Sequence, residues 1–318
     1  MAYRSYKRKS SRSGCLKGVF GGCFSMFIFF VLIVSMLSSI KFPEFDFSNV
    51  EKVNYTIEMD SLTTEKIINS SFSWKFVSNN LTKKKYDLTF RLLADEVRKA
   101  ISLIDRIGGM TFEELGLDPR YDYRDPEIQA QYVWARIYQI VYERSFPQLK
   151  TIAEGFNQVF RNENMSGKDK VLFVISFVQN IKYDRPGGTL DLLSPLATLA
   201  KKFGDCDTKA ILLYVLLERM GIDCAMMWSQ KYKHAMLGVR ISTRGNYKIF
   251  NGKKYYFLET TYPGWAIGDL PPDFKNKRFW FVNEVDLGEK MFNKEDEELI
   301  RREEEKSNRE AKPSPATP

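Results

Sequence analysis

The sequence predicts an α+β fold preceded by a single transmembrane helix. Three observations predict it. A basic tail runs into a long uncharged apolar stretch, helix-period segments fill the middle of the chain, and strand-period segments dominate its later part. Helices followed by strands, without alternation, argue against repeated βαβ units.

Arg4, Lys7, Arg8, Lys9, Arg12 and Lys17 place six positive charges before residue 18, with no acidic residue among them. They supply six of the net +8, leaving +2 for the remaining residues of a 318-residue chain. That remainder is too small for a phosphate-binding face, so nucleic acid is excluded as a partner. Lys17 and Lys41 bracket 23 uncharged residues, 18–40, which include MFIFFVLIVSML. At about 1.5 Å per residue this helix runs roughly 35 Å, enough to cross a hydrocarbon core of about 30 Å. The positive-inside rule puts residues 1–17 in the cytoplasm and the main domain on the far side, periplasmic or extracellular. A cleaved signal peptide is the rival reading, but its apolar region is ordinarily about 7–15 residues and ends in a small-x-small site. No such pair stands near the end of this run, and Cys23 comes too early in it for a lipoprotein site.

Residues 41–90 read as a stalk, KFPEFDFSNV, then strand-like VNYTIEM, FSWKFV and YDLTFRLL. Residues 91–165 turn helical: LADEVRKAISLIDRI, then PEIQAQYVWARIYQIVYERSF opened by Pro126, then FPQLKTIAEGFNQVF. In the segment 166–285, Ser166 is placed to cap a helix whose inward positions are Val171, Phe173, Val174, Phe177, Val178 and Ile181. Pro186-Gly187-Gly188 breaks the chain before LDLLSPLATLAKKFG. IDCAMMW, HAMLGVRI and KKYYFLETT follow as strands, the last two separated by turn-rich STRGNYKIFNG. Residues 286–318 form a charged tail ending KPSPATP. Asn54, Asn69, Asn80 and Asn164 each begin an N-x-Ser/Thr sequon, a pattern short enough to arise by chance.

The stretch FGDCDTKAILLYVLLERMG, 203–221, carries the candidate chemistry. Its apolar residues surround the helix, which marks a core helix, and Gly221 suits the C′ position. Cys206 then falls at the first turn, flanked by Asp205 and Asp207, where unpaired backbone N–H groups favour a thiolate. The helix terminus alone lowers a thiol by roughly one pKa unit, too little for a good nucleophile at neutral pH. An imidazolium beside the sulfur would complete the effect, and His234 is the one histidine of the chain. Glu259 is placed to orient that ring if the two strands are neighbours. In extended chain Tyr255, Phe257 and Glu259 share one face, as do His234, Met236 and Gly238. Two alternatives stay open: a Cys206–Cys224 disulfide, which would abolish thiol chemistry, and a metal held by Cys206, Cys224, His234 and a carboxylate.

These residues resemble the transglutaminase-like superfamily, a papain-like fold. GDCDTKAILLYVLLERMGI matches its cysteine motif, with Gly204, Cys206 and Ala210 in the family's glycine, cysteine and small-residue places. HAMLGV resembles the histidine strand and FLETTYPGW the acid strand, while FVISFVQNIKYD and SPLATLAKKFG resemble the segments upstream. The likeness covers residues 166–275. It implies a buried cysteine-headed helix on an antiparallel sheet, Cys206 as nucleophile, His234 as general base and acid, and Glu259 as orienting carboxylate. The family usually carries aspartate in the third place. An oxyanion donor beyond the Cys206 N–H would come from Gln179 or Tyr183. The implied reaction is acyl transfer from a peptide, protein or cell-envelope amide through a thioester, with no cofactor and no EF-hand-like calcium loop. The alternative is a catalytically inactive module of this fold, serving as a tethered interaction domain.

Overall fold

The strand-rich segment forms a sheet of its own in the computed structural model, which describes residues 50–59, 66–117, 126–283 and 285. The basic tail, the apolar run 18–40 and the charged tail from 286 lie outside these residues. Among the described residues no helix is long and apolar enough to cross a membrane. Strands β1 (Glu51–Glu58), β2 (Ile67–Val77) and β3 (Lys83–Leu93) lie in the order β1-β3-β2. The β2–β3 pair is antiparallel, whereas β1 pairs with β3 in parallel. Alternation fixes the faces: Tyr86, Leu88, Phe90 and Leu92 turn inward while Lys85 and Arg91 stay exposed.

Helices α1 (Ala94–Gly108), α2 (Pro126–Gln148), α3 (Lys150–Asn162) and α4 (Gly167–Asn180) follow. Ser166 caps α4 by accepting the Asp169 N–H, and Val171, Phe173, Val174, Phe177 and Val178 are buried. Phe173 and Phe177 interlock with Trp74, whose indole N–H donates to Ser176 at 3.1 Å. Next come β4 (Lys182–Tyr183), α5 (Pro195–Lys201) and β5 (Phe203–Gly204), with β4 and β5 forming a short parallel pair. The core helix α6 spans Cys206–Arg219 and ends at Gly221, whose φ of +76° suits glycine.

The second sheet contains β6 (Cys224–Ser229), β7 (His234–Val239), β8 (Tyr247–Phe250), β9 (Lys253–Leu258) and β10 (Phe281–Asn283), in the antiparallel order β10-β6-β7-β9-β8. The turn-rich reading of 242–252 is corrected here. Tyr247–Phe250 is an edge strand, and Asn251-Gly252, both at positive φ, make the tight turn into β9.

One apolar cluster runs from β2 and β3 through α4 and α6 to the inward face of β6 and β7. The segments 41–90, 91–165 and 166–285 therefore share a core wherever they are described. A smaller cluster lies on the opposite face of the second sheet, built on Met227, Met236, Tyr255 and Phe257 and covered by Trp280.

Candidate active site

Local sequence builds the head of α6. Asp205 takes the N-cap in extended backbone, and its carboxylate accepts the Thr208 N–H. Asp207 accepts from the same N–H at 3.0 Å. The Thr208 hydroxyl accepts the Leu193 N–H at 3.1 Å and ties the helix to the preceding loop. Gly204 has a steric cause, since a Cβ there would stand 2.4 Å from Thr208 Cγ2. Ala210 is fully buried in the helix wall.

Pairing between β7 and β9 runs only from Leu237 to Val239, so the strands part near the start of β7. Cys206 enters that opening. Its sulfur accepts the Ala235 N–H, and its carbonyl accepts the Thr260 hydroxyl at 3.4 Å. Glu259 lies one residue beyond β9, on the face shared by Phe257, Met236 and His234. Its Oε2 meets His234 Nε2 at 2.8 Å. The glutamate thus spans the distance to the ring despite its extra methylene. Phe274 stacks on the imidazole at 4.9 Å between centroids, and Trp280 meets it edge to face at 6.1 Å. With Nε2 committed to the carboxylate, Nδ1 is left as the ring's basic atom.

The thiol corrects the expectation of a resting thiolate. Burial first, then the charges of Asp207 and Asp205, hold Cys206 well above its ordinary value, and the Ala235 N–H opposes them. Burial also raises both aspartates, which hydrogen-bond to each other. Tyr138, reaching in from α2, donates to Asp207. A thiol raised in this way gives up its proton during attack, not before it.

Glu259 sits in a web of partners. Its Oε1 accepts the Thr261 N–H at 2.9 Å and the Thr261 hydroxyl at 2.7 Å. Burial alone would raise this carboxyl, but the charge and hydrogen bond of His234 and the bonds from Thr261 bring it below its ordinary value. The ionised form therefore stabilises the fold above the unfolded value of 4.5, and that contribution is lost as pH falls through the lower folded value. Melting temperatures from pH 7 to 3 should fall more steeply for the native chain than for Glu259→Gln; parallel curves would refute this.

Gln179 is a second correction. Its side-chain nitrogen donates to the carbonyls of Glu259 at 2.8 Å and Trp265 at 3.0 Å, which uses both amide protons. It braces the acid strand and offers no donor to an oxyanion. Tyr183 remains beside the motif: its backbone pairs with Gly204 and its ring stacks on Tyr262. Burial and the charges of Cys206 and Asp205 raise its hydroxyl, so it keeps its proton.

Lys209 was not singled out by sequence. It is fully buried on α6, and its ammonium donates to the carbonyls of Gln179 at 3.0 Å, Ile181 at 2.8 Å and Thr261 at 2.8 Å. Burial pulls its pKa down to about 7, opposed by the charge of Glu259. Three acceptors match the three protons of an ammonium, which favours the charged form. The only sequence signal was one lysine inside an otherwise apolar helix.

Cys206 and Cys224 are both free thiols. Cys224 lies five residues along β6 from Ser229, the partner of His234, so about 17 Å separates it from that end of the sheet. Neither the disulfide nor the four-ligand metal set forms. Asp205, Cys206 and Asp207 bring ligating atoms within 4.8 Å of one another, a proximity the carboxylates spend on each other and on Tyr138.

No family model and no curated protein matches the chain. Among solved structures it is similar to LapG of Legionella pneumophila, with 16% identity, a TM-score of 0.30, and coverage of 53% of this chain and 95% of that one. It is also similar to a Cytophaga hutchinsonii protein described as a cysteine-protease candidate, with 14% identity, a TM-score of 0.28, and coverage of 68% and 73%. At these values neither structure assigns a role to any residue here. The chain's own architecture sets a cysteine-headed core helix on an antiparallel sheet.

Proposed function

We propose that this protein is a cysteine hydrolase or acyltransferase acting on peptide or other amide bonds, tethered to a membrane by residues 18–40. The observation that carries the reading is the buried Glu259–His234 pair, set one residue from the N–H that holds the Cys206 sulfur. As the sulfur attacks the carbonyl carbon, Nδ1 of His234 takes the thiol proton and the carbonyl electrons move onto oxygen. The Cys206 N–H at the helix head and the Tyr183 hydroxyl are the donors for that oxyanion. Its collapse breaks the C–N bond, and the imidazolium returns the proton to the departing amine. A thioester remains, to be resolved by water or a second amine. Because proton loss accompanies attack, the raised resting thiol is compatible with chemistry.

The basic tail and uncharged run support tethering with the catalytic domain outside the cytoplasm. Mass spectrometry of the intact chain after exposure to a panel of peptide amides tests the reaction. An acyl adduct on Cys206, missing in Cys206→Ala, is the expected result. An absent adduct, with Cys206→Ala retaining every phenotype of the native chain in its host, would establish the non-catalytic module instead.

A further inference from the structure

The rim of the site is electrostatically lopsided. On the Tyr183 side the cations are paired: Lys182 with Asp184 at 2.7 Å, and Arg185 with Asp191. On the His234 side they are not. Lys231 and Lys233 lie in the turn before His234, and Lys275, Lys277 and Arg278 follow Phe274. Four of these are exposed and Lys277 is partly so, and none has a carboxylate partner among the described residues. Lys277 and Arg278 instead lie over the rings of Tyr247 and Phe279. Asp273 is the one acid among residues 271–279.

Aromatic packing makes the two segments one surface. Tyr232, between the two turn lysines, packs on Phe274 at 5.3 Å, Phe279 at 5.9 Å and Trp280 at 5.8 Å. Each cation is at most three residues, about 11 Å of chain, from the imidazole or from a ring that touches it. Five cations on two segments that pack together, none ion-paired among the described residues, favour a ligand that brings its own negative charge.

We propose that these five cations bind a carboxylate-rich polypeptide segment of the substrate, on the His234 side of the bond to be cleaved. The proposal rests on the hydrolase reading for its location but not for its test. Full-length Cys206→Ala would be titrated by fluorescence anisotropy with two labelled peptides that differ only in Glu for Gln. A few exposed ion pairs give an expected preference of about 10-fold for the Glu peptide. That preference should shrink with added salt and vanish when the five cations are changed to glutamate, with the melting temperature unchanged. Equal affinity for both peptides overturns the proposal. So does binding to phosphatidylglycerol vesicles that depends on the same five residues without Glu–Gln discrimination. Tighter Glu-peptide binding after the acids of 295–305 are neutralised would make that segment the occupant and also overturns it. If no thioester forms on Cys206 while the Glu preference holds, the reaction falls and the binding surface stands.

Discussion

His234→Ala is expected to lower the rate of Cys206 acylation by about 10³-fold, within the usual range for removing a positioned base. The size follows from the raised thiol. A cysteine already ionised at rest would keep much of its reactivity without the ring, whereas a protonated one depends on a base to take its proton during attack. Glu259→Gln should cost less, about 10²-fold. The amide can still reach His234, but it no longer stabilises the imidazolium that forms during attack. Pre-steady-state measurement of amine release separates acylation from later steps. A loss below about 10-fold for His234→Ala would remove the imidazole from the mechanism.

Lys209→Met should produce the largest structural loss among the site residues. Methionine fills a similar volume but donates nothing, leaving the carbonyls of Gln179, Ile181 and Thr261 buried without that partner. At roughly 1–3 kcal/mol for each orphaned group, partly relieved by relaxation, a net cost of about 3–5 kcal/mol is expected. For a domain of this size that lowers the melting temperature by roughly 6–15 °C. The measurement belongs near pH 6, below the pKa of about 7, where the lysine holds its proton. Acylation should fall as well, since Thr261 both anchors Lys209 through its carbonyl and bonds Glu259 through its N–H and hydroxyl. Lys209→Arg should not restore either property, because a planar guanidinium cannot meet three carbonyls arranged around one nitrogen. An unchanged melting temperature in Lys209→Met would show that the three bonds contribute nothing.

The two kinds of site residue differ in how visible they were in the sequence. Cys206 could be placed from its neighbours, because the apolar run and Gly221 define the helix within twenty residues. Strand periodicity placed His234 and Glu259 each on a face of its own strand, and the β7–β9 pairing then brings the two together. Lys209 and Gln179 could not be read this way. Their partners lie 28 to 86 residues away, and side-chain-to-carbonyl bonds leave no periodic trace. The protonation of the thiol was hidden for a related reason. Asp205 and Asp207 are visible beside the cysteine, but the depth to which the fold buries them is not, nor is Tyr138, which donates to Asp207 from α2. In the first sheet the three strands were legible, whereas the parallel pairing of β1 with β3 was not, since alternation fixes a strand's faces but not its neighbours.

The cover over His234 has a consequence for biosynthesis. Phe274 and Trp280, which hold the ring, and β10, which completes the sheet beside β6, all come from the last dozen residues before Val285. A nascent chain that has emerged only through Leu258 already holds the cysteine, the histidine and most of the sheet, yet its Met227–Met236–Phe257 surface faces water. Ribosome stalling between codons 259 and 280 should therefore yield an aggregation-prone product.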